Sequence, residues 1–163
     1  MSKTAIFAGD VSEGWPEPQD IARYFLTPSG QRSFLETGDD SGLFTVDGIE
    51  GTDHLEDTSC GRKEVNLWLT AHPAFGVMLQ WSKWDGKQHQ DYHSSGDLTR
   101  LREAIPSSHG SKCPLGLFVP LEDAWKAIKD FLENEGGRSN KIAWIESKDL
   151  PPDIFLWPKM ARR

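Results

Sequence analysis

Hydrophobic and polar positions alternate most clearly in the middle of the chain. From Glu64 to Thr70, Val65, Leu67 and Leu69 fall on one face, and Asn66 and Trp68 on the other. His72-Pro73 ends that strand. Residues 75–84 form a second, with Val77, Leu79 and Trp81 pointing one way. Asp85-Gly86 follows, a pair suited to a tight hairpin turn because Gly takes positive φ without strain and Asp tolerates it. Lys87–Ser94 is then the returning strand; it is polar on both faces, which suits a sheet edge.

The pattern changes period after Pro120. Across 121–134, Leu121, Ala124, Trp125, Ile128, Phe131 and Leu132 make a stripe at helical spacing. Glu122 and Asp123 sit in the first turn, where the helix dipole favours negative charge, and Gly136-Gly137 supplies the stop. Leu115–Val119 before this helix and Lys141–Glu146 after it read as short strands. The spacing of Leu98, Leu101, Arg102 and Ile105 predicts a further short helix over 96–105. Nearer the N-terminus, Ile21, Tyr24 and Phe25 predict a helix over 17–26, ended by Thr27-Pro28-Ser29-Gly30. The fold class expected is α+β: an antiparallel sheet, a long C-terminal amphipathic helix packed on it, and one or two short helices. One domain spans 1–163, with an acidic part over 1–60 and a sheet-and-helix core over 64–157.

Composition narrows the functional classes. Seven Trp and eight Phe in 163 residues belong to a folded chain. No apolar run approaches the ~20 residues of a membrane span, and MSKTAIFAGDVSEGW lacks the apolar core of a secretory signal. With only Cys60 and Cys113, two thiols in a reducing cytoplasm are expected. The net charge is −7, and the excess lies in the first third: residues 1–60 hold twelve acids and three bases. Between Glu36 and Asp57 there is no Lys or Arg. That field repels nucleic acid and attracts cationic surfaces.

Catalytic patterns are weak. Neither cysteine lies in a nucleophile elbow or before a helix N-terminus that would lower its pKa. His89 and His93 are four apart, but Gln90 stands where a zinc-protease helix carries Glu, and the segment reads as a strand. A small metal-dependent hydrolase using His89, His93 and nearby acids is the alternative the sequence leaves open. The run 47–58 lacks the side-chain oxygens and the invariant Gly of a calcium loop. No cofactor is expected.

Residues 116–146, GLFVPLEDAWKAIKDFLENEGGRSNKIAWIE, give strand, Pro, amphipathic helix, small loop and a Trp-centred strand. Through Val119, Pro120, Ala124, Ala127, Ile128, Phe131, Gly137, Arg138, Ile142 and Trp144, this segment resembles the first-named immunity-protein family of bacterial polymorphic toxin systems. The hairpin VMLQWSKWDGKQHQDY and Gly96-Asp97 are similar in order to that family's middle strands. About half the chain is covered, and residues 1–60 hardly at all. The resemblance implies a cytoplasmic, non-enzymatic protein that binds a cognate toxin, often a nuclease or nucleic-acid deaminase, and occludes its active site. Asp39, Asp40, Asp47, Glu50, Asp53, Glu56 and Asp57 would then face a basic cleft, with Trp68 and Trp84 as candidate aromatic anchors. An adaptor for some other basic protein fits the same charge pattern.

Overall fold

A computed structural model describes residues 1–36, 42–106 and 112–154. Its main element is an antiparallel sheet. In chain order its strands are β1 (Ser2–Phe7), β2 (Asp10–Glu13), β3 (Gly42–Asp47), β4 (Glu64–His72), β5 (Gly76–Trp84), β6 (His89–Ser94), β9 (Phe118–Val119) and β10 (Trp144–Glu146). Among the described residues the spatial order is β10-β6-β5-β4-β3-β1-β2, with β9 pairing the start of β5. A separate hairpin joins β7 (Ala104–Pro106) to β8 (Lys112–Pro114).

The central hairpins follow the alternation. Gly76 turns the chain into β5 at φ +96°, and a Cβ there would lie 2.2 Å from the Val119 carbonyl oxygen, so only glycine fits. At the next turn Asp85 Oδ1 accepts from the N–H groups of Lys87 and Gln88, each at 2.9 Å.

The helices are α1 (Pro18–Ile21), α2 (Arg23–Leu26), α3 (Pro28–Leu35) and α4 (Leu121–Glu133). The expected helix over 17–26 is split at Ala22 into α1 and α2, and it ends at Leu26 as expected, with Thr27 extended, but no turn follows over 28–30. Thr27 Oγ1 instead accepts from the Gly30 N–H at 3.2 Å and caps α3, whose first residue, Pro28, needs no N–H partner. The C-terminal helix is 13 residues long. It buries Leu121, Ala124, Trp125, Ala127, Ile128 and Phe131 in one cluster with Val65, Leu67, Leu69, Val77 and Leu79 of the sheet. Each large side chain so buried contributes ~1.5–3 kcal/mol.

Three local expectations are corrected. Residues 96–105 hold no α-helix: Asp97 caps a single 3₁₀ turn at Leu98–Arg100, and the chain then extends because β8 pairs with Ala104–Pro106. Leu115–Leu117 is also a 3₁₀ turn and not strand, closed by the Phe118 N–H donating to the Leu115 carbonyl. The strand expected over 141–146 shortens to Trp144–Glu146, because Ser139 and Lys141 are held on the Asp130 carboxylate at the end of α4.

Residues 1–60 are not an acidic part set beside a core. Ala5, Phe7, Ile21, Phe25, Phe34, Phe44 and Val46 belong to the same buried cluster as α4. A second cluster on the opposite face of β5 gathers Met78, Ile105, Leu115, Leu117, Phe118, Leu150 and Ile154. Ser94 ties this cluster to the sheet: its hydroxyl donates to the Leu117 carbonyl at 2.6 Å and accepts the Leu79 N–H. Residues 155–157, expected within the core, lie outside the described residues.

Candidate binding face

Paired residues in an antiparallel sheet project to the same side, so the register defines rows of side chains. One face carries Ala5, Phe7, Phe44, Val46, Val65, Leu67, Leu69 and Leu79, all buried with the helices. The other face carries the alternate residues. Val11 pairs with Ile6, Ile6 with Leu43, Leu43 with Trp68 and Trp68 with Gln80. The result is an apolar row across β2, β1, β3 and β4. Val11 is 79 % exposed, Ile6 39 % and Trp68 38 %, while Leu43 is half-buried.

The next rows are polar. One runs Glu13, Thr4, Thr45, Asn66, Ser82 and Asp91, with Thr45 Oγ1 donating to Asn66 Oδ1 at 2.6 Å. Another runs Ser2, Asp47, Glu64, Trp84 and His89. Glu13, Glu64 and Asp91 have no ion pair among the described residues. An exposed apolar row with carboxylates in the two rows along one side is therefore presented on a sheet whose other side is fully packed.

The acids expected to form a docking cluster have mostly local duties. Asp47 Oδ1 holds Arg62 Nη2 at 2.6 Å, and the same guanidinium donates to the carbonyls of Asp53 and Leu55, which fastens the 48–61 loop. Glu50 lies between Lys63 Nζ at 2.7 Å and Lys83 Nζ at 2.8 Å. Those two ammonium groups pull its carboxyl down to about 2. Asp53 is 3.4 Å from the N-terminal amino group, which lowers its pKa. Asp57 is lowered by the Ser59 hydroxyl and the Cys60 N–H that it caps. Glu56 is exposed and without an ion pair among the described residues. Asp39 and Asp40 lie outside the described residues.

The two candidate tryptophans differ. Trp68 stands in the exposed row. Trp84 is half-buried: its indole N–H donates to the Thr58 carbonyl at 3.0 Å and its ring packs against His89, with centroids 4.9 Å apart. It pins the acidic loop to β5. Sequence reasoning missed Ile6, Val11 and Leu43. The alternation of Ala5 and Phe7 against Thr4 and Ile6 was a usable signal for β1. Ala8 and Gly9, both at positive φ, make the two-residue turn into β2.

His89 and His93 do not share an environment. His89 is exposed, whereas His93 is 4 % exposed with Nδ1 2.8 Å from Ser147 Oγ. No group of three or more metal-ligating side chains occurs among the described residues. Cys60 is exposed, Cys113 is half-buried, and neither is in a disulfide. No helix among the described residues is long and apolar enough to cross a membrane.

Burial pushes the His93 imidazole down to about 4, against a weaker upward pull from Asp91. The unfolded chain, with an ordinary histidine, therefore binds the proton first as pH falls. His93 contributes its full stability above about pH 6.5 and loses it progressively towards pH 4. Urea unfolding is expected to show about 2 kcal/mol less stability at pH 5 than at pH 7 from this group. A His93→Asn variant should lack that share of the slope; an equal slope in both proteins would remove His93 as its source.

No family model, curated protein or solved structure matches this chain.

Proposed function

We propose that this protein is a binding protein of the immunity type, which neutralises a bacterial toxin by covering its active cleft. The observation that carries this reading is the exposed row Val11, Ile6, Leu43 and Trp68 with the carboxylates Glu13, Glu64 and Asp91 in the rows along one side of it. Apolar and aromatic side chains at the centre of a patch with a polar rim have the anatomy of a protein interface. The rim is anionic, so the complementary surface is basic. A cleft that handles nucleic acid is such a surface, and opposite charge on the rim speeds encounter.

The resemblance supports the same reading. Pro120 precedes α4, Ala124, Ile128 and Phe131 are buried on the sheet, and Trp144 lies in β10. These are scaffold positions; recognition falls to the open face of β2, β1, β3 and β4. The protein works in the cytoplasm of the toxin-producing cell, without a cofactor and without catalysing a reaction. Expressing the protein encoded by the adjacent open reading frame, the proposed toxin, with and without this protein, tests the proposal. Growth should be arrested by the toxin alone and restored by co-expression. Arrest that persists with abundant folded protein would overturn the reading.

A further inference from the structure

The sheet's other edge is incomplete. β10 pairs with β6 only from Trp144 to Glu146, opposite Ser94, His93 and Tyr92. β6 runs on to His89, while the chain after Glu146 turns away into a 3₁₀ turn at Ser147–Asp149. The hydrogen-bonding direction of each β6 residue follows from two contacts. The Ser95 N–H donates to the Ala143 carbonyl at 2.9 Å, so residue 95 faces the β10 side. The Gln88 carbonyl accepts from the Asp85 N–H at 3.2 Å, so residue 88 faces β5. Alternation then turns residues 93, 91 and 89 outward. His93 meets Ile145 of β10. Asp91 and His89 present their N–H and C=O groups outward with no strand beside them among the described residues.

A groove of about 390 Å³ runs along this notch, lined by residues 88–92 and 146–148. We propose that it accepts an extended segment of another polypeptide, added to the sheet as a strand antiparallel to β6 and in line with β10. Donors and acceptors repeating every second residue match an extended backbone and not a helix. Edge strands are commonly closed to such pairing by Lys, Pro or a bulge. His89-Gln90-Asp91 has none of these, and its pairing with β5 is regular. Lys148 neutralises Glu146 at 3.0 Å, whereas the Asp91 carboxylate has no ion pair among the described residues. The incoming strand therefore carries a basic side chain beside Asp91. This inference does not depend on the toxin reading.

A blocked synthetic peptide, Thr-Lys-Val-Lys-Thr, is the probe, titrated into the ¹⁵N-labelled protein. The amides of His89 and Asp91 should shift and exchange more slowly with solvent. Those of Gln90 and Tyr92, which face β5, should not become more protected. Methylating the peptide nitrogens that face β6 should weaken binding roughly fivefold for each hydrogen bond removed. Replacing both lysines by glutamate should weaken it further. Asp91→Pro, which removes an outward N–H and leaves the inner ladder intact, should reproduce the loss. The proposal is overturned if no shift occurs at any soluble peptide concentration, if the shifts map elsewhere, or if the methylated peptide binds equally well.

Discussion

Phe131→Ala is expected to destabilise the protein by about 3–5 kcal/mol, the usual range for emptying a buried phenylalanine site. Phe131 is fully buried at the point where α4 meets the N-terminal strands. Its ring lies 5.0 Å from that of Trp15 and 6.4 Å from that of Phe44, centroid to centroid. The Trp15 indole is itself fixed, donating to the Thr4 and Thr45 carbonyls at 3.0 Å each. Neighbours held in this way collapse poorly into a void, so the cavity cost adds to the lost transfer energy. Domains of this size are stable by only about 5–15 kcal/mol, so the variant should be close to unfolding at physiological temperature. Urea denaturation measures the difference, with Lys129→Ala on the exposed side of α4 as a reference expected within about 0.5 kcal/mol of wild type. A loss below about 1 kcal/mol at Phe131 would contradict the packing described for this helix.

Trp68→Thr is expected to separate binding from folding. Threonine suits a strand, but Trp68 is only 38 % exposed, so losing its partly buried ring should cost about 1–3 kcal/mol, short of unfolding the domain. Affinity for the proposed toxin partner should fall by about 2 kcal/mol or more, roughly thirtyfold, because an exposed tryptophan in an apolar row is the usual site of concentrated binding energy. Ile6→Asp, next but one in the same row, should act in the same direction. Trp84→Phe should not, since Trp84 bonds Thr58 and holds the 48–61 loop. Calorimetry with the proposed toxin domain, once purified, gives the comparison. Unchanged affinity for Trp68→Thr would move the interface away from this face.

The expected acidic docking cluster shows how charge counted along a chain differs from charge in space. Eight acids without a base between Glu36 and Asp57 describe an anionic segment. Folding brings Arg62, Lys63 and Lys83 onto Asp47 and Glu50, and the N-terminal amino group onto Asp53. Lys83 is thirty-three residues from the carboxylate it neutralises. Much of the segment's charge is spent on fastening its own loop, and the open carboxylates Glu13, Glu64 and Asp91 come from three different strands.

What the sequence determined by itself is the local part of this protein. The β4–β5–β6 hairpins and the 13-residue α4 follow from side-chain periodicity and turn chemistry, which neighbouring residues settle between themselves. Only the tertiary structure decided the rest. The segment 96–105 has helical spacing yet forms only a 3₁₀ turn before its end extends, because pairing of Ala104–Pro106 with β8 outweighs a short helix with little packing of its own. The row of Val11, Ile6, Leu43 and Trp68 joins positions up to 62 residues apart through strand register, and register is set by which faces the whole sheet buries.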